Sequence, residues 1–167
     1  MLSVYRIIID STILNLALGV IVLGSLYLNA RLWLQDYPAQ ARAKVPPNTP
    51  TENRLKLFVM IPMLVLLAGM PLYSNYQLRL ANGGELTFLT AFLNTLIITQ
   101  LFNLFDALVL DLLILTYIKP KFVVIPGMDA AELDILFRDW KMNLRNYLKG
   151  IVICTVFSLP IAIISVL

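Results

Sequence analysis

Residues 85–118 read ELTFLTAFLNTLIITQLFNLFDALVLDLLILTYI, an apolar run with only three charged side chains. A helix of this length can cross the roughly 30 Å of hydrocarbon in a bilayer. Backbone amides inside lipid must be hydrogen-bonded within their own segment, and the residues do not alternate as in a barrel strand. Residues 4–34, 50–80 and 147–167 have the same character. The sequence therefore predicts an all-α integral membrane four-helix bundle, a single transmembrane domain over residues 1–167.

Composition supports this class and excludes several others. Hydrophobic residues make up 59% of the chain and charged residues only 14%, whereas soluble domains are about a quarter charged. Cys154 is the only cysteine and histidine is absent, which excludes an internal disulfide, a CxxC motif and histidine-based chemistry. No metal motif, cofactor motif or nucleic-acid-binding pattern is present. We therefore predict no catalytic residue, metal, cofactor or nucleic-acid partner.

The basic residues predict the orientation of the chain. Of the 13 Lys and Arg residues, five lie in residues 31–56 and six in residues 119–149, and only Arg6 and Arg79 lie elsewhere. Cytoplasmic connections of membrane proteins are enriched in Lys and Arg. Both long connections are therefore expected in the cytoplasm and both termini outside.

The segments that connect the helices contain a predicted helix start and a predicted turn. Thr49, Pro50 and Glu52 have the spacing of a capping box with proline at the first helical position. Residues 81–84, Ala-Asn-Gly-Gly, predict a tight hairpin that makes the second and third helices antiparallel neighbours.

The second long connection is expected to have two parts. Residues 119–127 read KPKFVVIPG and cannot form one helix because of their prolines, so they should lie on the headgroup layer or pack under the bundle. Residues 130–149 predict an additional amphipathic helix at the cytoplasmic membrane interface. Its apolar stripe comprises Leu133, Leu136, Phe137, Trp140, Leu144, Tyr147 and Leu148. The candidate lipid- or phosphate-binding residues are Lys119, Lys121, Arg138 and Lys141.

The third helix carries most candidate ligand- or ion-binding residues, because ionisable groups within a membrane are costly and commonly functional. At ~1.5 Å per residue from Lys119, Asp111 is expected roughly 12 Å deep and Asp106 roughly 20 Å deep. Thr99, Asn103 and Asp106 share a face with Thr95, spaced by four, four and three residues. In an α-helix Asp111 would point about 140° away from Asp106, together with Gln100.

Asp10 in the first helix is a further candidate, although Arg6 lies four residues before it and can pair with it. A purely structural role is the alternative for all these side chains. Interhelical hydrogen bonding is the favoured interpretation for Asn15, Asn94 and Gln100.

Residues 104–111, with Asp106 and Asp111, and the following KPKFVVIPG segment resemble a family of small, uncharacterised bacterial four-helix integral membrane proteins. The likeness covers about a quarter of the chain and implies a bacterial inner-membrane setting. Members carry a histidine in the last cytoplasmic helix, which this chain lacks.

Three functions fit these patterns. The first is a proton- or cation-coupled transporter that uses Asp106 and Asp111, and its size would require a homo-oligomer. The second is a structural, assembly or lipid-binding subunit with a membrane-protein partner, supported by small residues in the first helix. The third is a membrane enzyme acting on a lipid or isoprenoid phosphate, which is favoured less than the other two.

Overall fold

A computed structural model describes residues 2–167, apart from the side chain of Glu132, and every regular element in that range is helical. The α-helices are α1 (Val4–Asn29), α2 (Ala39–Arg42), α3 (Pro50–Ala81), α4 (Phe88–Phe105), α5 (Ala130–Phe137) and α6 (Trp140–Val166). Two 3₁₀ helices cover Ala30–Asp36 and Lys121–Val123, and a π-helix covers Asp106–Ile118 directly after α4.

Four helical segments are long and apolar enough to cross a membrane, namely Val4–Asp36, Pro50–Ala81, Phe88–Ile118 and Trp140–Val166. The prediction is thereby confirmed in its helical content and in its number of long apolar helices. These segments are compatible with an integral membrane protein.

The predicted start of α3 and the hairpin after it are both present. The Thr49 side chain accepts a hydrogen bond from the Glu52 amide at 3.2 Å, and the Glu52 carboxylate accepts one from the Thr49 amide at 2.7 Å. At the other end of α3, Gly83 and Gly84 have φ angles of 74° and 94°. These left-handed conformations let the chain reverse direction within a few residues.

Local capping groups set the limits of the α-helices, and three of these limits differ from the approximate ones predicted. The first helix stops being α-helical after Asn29, whose side chain accepts a hydrogen bond from the Arg31 amide at 3.0 Å. The third begins at Phe88 instead of residue 85, with Thr87 as its N-cap. The last begins at Trp140 instead of residue 147, because Asp139 caps it by accepting from the Lys141 amide at 3.0 Å.

The helix α4 occupies the centre of the bundle. It packs against α1, α3 and α6, most extensively against α6, whereas α1 and α6 barely touch each other. We call the end with residues 82–87, the beginning of α1 and the end of α6 the hairpin end, and the end with residues 30–49 and 119–139 the loop end.

Buried amides hold the hairpin end together. Asn75 of α3 donates hydrogen bonds to Thr95 of α4 and to Ser165 of α6, both at 2.9 Å. Asn94 donates to Asn75 at 2.9 Å and to Ser74 at 3.0 Å. Since these groups are almost fully buried, their polar atoms have to be paired, and the network joins three helices at this end.

The connection after the π-helix packs under the bundle, one of its two predicted positions. Val123 and Ile125 belong to the buried core, and the Tyr37 hydroxyl donates to the Val123 carbonyl at 2.5 Å. Apolar side chains therefore close the loop end beneath α1.

The predicted amphipathic helix over residues 130–149 is not continuous. It breaks at Arg138 and Asp139, and its second half extends straight into α6. Leu133 and Phe137 are buried against the bundle, whereas Trp140 remains 65% exposed. The predicted stripe is thus divided between a short docked helix, α5, and the beginning of the last span.

Candidate functional site

The π-helix places Asp106 and Asp111 on one side of the chain. Its wider turn is visible in the hydrogen bonds from the Lys119 amide to the Ile114 carbonyl, at 2.8 Å, and from the Thr116 hydroxyl to the Asp111 carbonyl, at 2.9 Å. Both bonds span five residues, and in a π-helix residues five apart come close to the same face. The expectation that the two carboxylates diverge by about 140° was therefore wrong, because it assumed α-helical geometry.

Both aspartates line one cavity of about 540 Å³ at the loop end, which we call the aspartate cavity. Its floor is α4 and the π-helix, and its walls are the end of α1 with the following 3₁₀ helix and α2, and the first turns of α6. The cleft exists because α1 and α6 flank α4 without packing against each other. The charged lining residues are Asp36, Arg42, Asp106, Asp111, Arg145 and Lys149.

The two floor carboxylates have no partner among the side chains that the structure describes. Neither Asp106 nor Asp111 forms a side-chain hydrogen bond or salt bridge with another described residue. Both are half-buried and line the cavity. An unpaired charge withdrawn from bulk water is costly, and the arrangement leaves these carboxylates available to a ligand.

The basic groups of the cavity wall form no salt bridge with a described side chain either, although Arg42 interacts electrostatically with Asp36. In the part of the chain that the structure describes, the side chains of Arg42, Arg145 and Lys149 form no salt bridge, and all three are exposed. Arg145 and Lys149 are four residues apart on α6 and therefore lie on one face of it.

Thr99 and Asn103, predicted to bind a ligand with Asp106, lie instead in the contact between α4 and α6. The Asn103 amide donates to the Tyr147 carbonyl at 3.2 Å, and the Thr99 hydroxyl lies 3.4 Å from that of Ser158. Neither residue lines the aspartate cavity. Their polar groups already hold two helices together, which is the structural alternative considered above.

The interhelical interpretation is confirmed for two amides and unsupported for a third. Gln100 donates to the Ile151 carbonyl of α6 at 3.0 Å, and Asn94 belongs to the network at the hairpin end. The Asn15 side-chain oxygen has no hydrogen-bond partner among the described residues.

Asp10 lies far from the aspartate cavity, near the hairpin end. It is 3% exposed and pairs with Arg6 at 3.4 Å, and the Arg6 guanidinium lies 5.4 Å from the centre of the Tyr73 ring. The structure therefore does not bring Asp10 together with Asp106 and Asp111. Its charge is balanced within α1 itself.

The predicted basic cluster is partly neutralised by an acidic residue. Lys119 and Arg138 both bind the Asp134 carboxylate, Arg138 at 3.2 Å. Lys121 and Lys141 are exposed and do not line the aspartate cavity. The four residues therefore do not form one phosphate-binding site in this arrangement.

The cavity residues Asp36, Arg42, Arg145 and Lys149 were missed by the sequence reasoning, which assigned the basic ones to topology alone. The spacing of Arg145 and Lys149 on the polar face of a helix was the available signal. Among the side chains that the structure describes, no three of Asp, Glu, Cys or His come together as a metal-binding group.

No protein-family model matches the chain, and no significant similarity to a curated protein or to a solved structure is found. The resemblance to small bacterial four-helix membrane proteins stays a prediction, and the function has to be argued from the aspartate cavity.

Proposed function

We propose that this chain is a membrane carrier that binds a cationic group at Asp106 and Asp111 in exchange for a proton. One observation carries the proposal: the π-helix presents two carboxylates without protein partners to a single cavity of about 540 Å³. Cavities of this size commonly hold small molecules.

The exchange follows from the environment of the carboxylates. A carboxylate in a mostly apolar cavity is stable when it holds either a proton or a cation, because an unpaired charge away from bulk water is costly. When a cation enters, the carboxylic acid releases its proton to water in the cavity and the carboxylate pairs with the cation. Total charge is conserved, and the two bound states replace each other.

The proposed setting is the bacterial inner membrane, with the loop end in the cytoplasm. The excess of Lys and Arg at that end supports this orientation. The aspartate cavity then opens on the cytoplasmic side. Because the network around Asn75 and Asn94 packs the hairpin end, we propose that a second copy of the chain completes the pathway.

Transport into liposomes tests the proposal. Purified protein is reconstituted with a pH-sensitive dye inside, a proton gradient is imposed, and Na⁺, K⁺, ethanolammonium and tetraphenylphosphonium are added separately. We expect at least one cation to dissipate the gradient with the wild-type protein. The double variant Asp106→Asn, Asp111→Asn should behave like protein-free liposomes, since an amide cannot exchange a proton.

Glu85→Gln is the control, because it likewise replaces a carboxylate by an amide but lies exposed outside the cavity. It should transport like the wild-type protein. The proposal fails if no cation dissipates the gradient, or if the double variant transports as well as the wild type.

A further inference from the structure

The charges of the aspartate cavity are balanced in number, and Asp106 and Asp111 form no salt bridge with its basic groups. Three acidic side chains and three basic ones line it. Asp106 and Asp111 lie half-buried on the floor, whereas Arg42, Arg145 and Lys149 are exposed along the walls and mouth.

Opposite charges in one cavity attract each other strongly when little water lies between them. Yet neither floor carboxylate pairs with Arg42, Arg145 or Lys149 in the structure described for residues 2–167. Arg42 interacts electrostatically with Asp36, the third lining acid, but Asp106 and Asp111 have no basic partner among the described side chains. This arrangement suits a ligand that carries both signs and lies between the floor carboxylates and the basic groups.

We propose that the cavity binds a zwitterion, with an ammonium group on Asp106 and Asp111 and a phosphate group at Arg42, Arg145 and Lys149. This inference rests on the proposed function and names the class of its substrate: a phosphate ester of an amino alcohol. The source is either a small soluble molecule or the headgroup of an aminophospholipid.

The wall groups favour phosphate as the anionic half. Two guanidinium groups and one ammonium group supply more donors than one carboxylate can accept, and guanidinium matches the geometry of phosphate oxygens. The apolar part of the lining, which includes Val22, Leu26 and Met63, accommodates the carbon atoms of the ligand.

Trp33 provides a direct probe of binding. It lines the cavity, and its ring nitrogen donates to the Ser25 hydroxyl at 2.8 Å, which holds the indole in place. The only other tryptophan, Trp140, is 65% exposed. In a Trp140→Phe background, fluorescence therefore reports on the cavity.

The experiment titrates this full-length protein in phosphatidylglycerol nanodiscs with glycerophosphoethanolamine, glycerol 3-phosphate and ethanolamine. We expect the zwitterion to bind at least roughly tenfold more tightly than either half, because both charge-assisted contacts form only with the complete molecule. Nanodiscs with phosphatidylethanolamine form the second arm. A change of Trp33 emission there, with weakened binding of the soluble zwitterion, identifies the lipid headgroup as the source, whereas tight soluble binding unaffected by the lipid identifies a free molecule.

Variants separate the two halves of the site. In the double variant Arg145→Gln, Lys149→Gln, the zwitterion should bind no more tightly than ethanolamine. In the double variant Asp106→Asn, Asp111→Asn, it should bind no more tightly than glycerol 3-phosphate. Lys121→Gln, an exposed basic residue outside the cavity, should change neither. If a double variant does not fold, Lys149→Gln or Asp111→Asn alone should weaken zwitterion binding by roughly threefold or more.

The zwitterion proposal is overturned if either half binds as tightly as the complete molecule, or if neither the soluble zwitterion nor the aminophospholipid alters Trp33 emission. It is distinguishable from the carrier proposal because its readout is binding. If cations drive proton exchange but the zwitterion binds no more tightly than its halves, only the proposed ligand class is overturned. If the zwitterion binds but no proton exchange occurs, only the carrier proposal is overturned.

Discussion

Gly150 of α6 lies against the side chain of Asn103 in α4. A Cβ atom at this position would collide with the side-chain amide of Asn103 and come within 2.6 Å of its Cγ. That amide is buried and donates to the Tyr147 carbonyl, so it cannot turn away without losing this bond.

We expect Gly150→Ala to lower the free energy of unfolding by about 1–2 kcal/mol, because overpacking forces Asn103 out of place. Thermal unfolding in detergent measures the effect. Gly69→Ala in α3, where a Cβ meets nothing within 4 Å, should be neutral or slightly stabilising. In the double variant with Asn103→Ala the two costs should not add, and simple additivity would contradict the proposed collision.

The polar face of α4 could be predicted from the sequence only in part. The polar face with Thr99 and Asn103 could be predicted from spacing, since the α-helical period holds throughout α4. The function of this face could not be predicted, because a polar side chain in a membrane helix can bind either a ligand or a neighbouring helix. Only the position of α6 assigns these residues to helix packing.

At the scale of elements, the π-helix decides what Asp106 and Asp111 can do together. Asp111 follows Asp106 by five residues, a spacing that diverges in an α-helix and converges in a π-helix. Nothing in the apolar residues between them distinguishes the two geometries, so the convergence could not be predicted.

Cysteine accessibility tests this geometry. In a Cys154→Ser background, which leaves no other thiol, Asp106→Cys and Asp111→Cys should both react with a water-soluble thiol reagent, since both face the aspartate cavity. Leu108→Cys lies between them on the same helix but outside the cavity, and should react far more slowly in a bilayer. Reaction at only one of the two aspartate positions would contradict the shared face.

The short helix α5 is docked by ionic contacts as well as by apolar packing. Asp134 binds Lys119 and Arg138, and Phe137 packs edge-on against Tyr37 at 5.6 Å between ring centres. Phe137 also lines the aspartate cavity, so α5 closes part of its wall.

Acid should loosen α5. The hydrogen bond from Lys119, helped by Arg138, holds the pKa of Asp134 below its usual value of 3.8. The stabilisation is therefore complete above about pH 3.8 and is lost as the pH falls through the lower folded-state pKa. Hydrogen exchange of α5, corrected for its intrinsic pH dependence, should rise in acid and in high salt.

Asp134→Asn is the control for this prediction, because it removes the titrating group. It should raise exchange in α5 already at neutral pH and weaken the acid response. Unchanged exchange at neutral pH in this variant would show that apolar packing alone holds α5.

At the scale of the whole molecule, the position of α4 between α1 and α6 creates the cavity. Here the amide network joins α3, α4 and α6 at the hairpin end, and the cleft opens at the loop end.

The orientation of the whole molecule in the membrane can be tested by labelling its two ends. In the Cys154→Ser background, Glu85→Cys should react with a membrane-impermeant thiol reagent added outside cells, whereas Gln40→Cys should react only after permeabilisation. Both residues are exposed, at opposite ends of the bundle. The reverse labelling pattern would contradict the orientation inferred from Lys and Arg.

The helical class, the four long apolar segments, the α3 capping box and the hairpin were determined by sequence alone. Each depends on hydrophobicity or on groups a few residues apart, and such local terms act in any tertiary arrangement. Asp106 and Asp111 could likewise be identified as candidate functional residues from the sequence, because charged residues are rare in such apolar segments.

Tertiary structure alone decided that these two carboxylates share a cavity with Arg42, Arg145 and Lys149. The physical reason is that the wide turn of the π-helix and the gap between α1 and α6 depend on how distant segments pack. Residues more than a hundred positions apart, such as Asp36 and Arg145, meet in one cavity only through that packing.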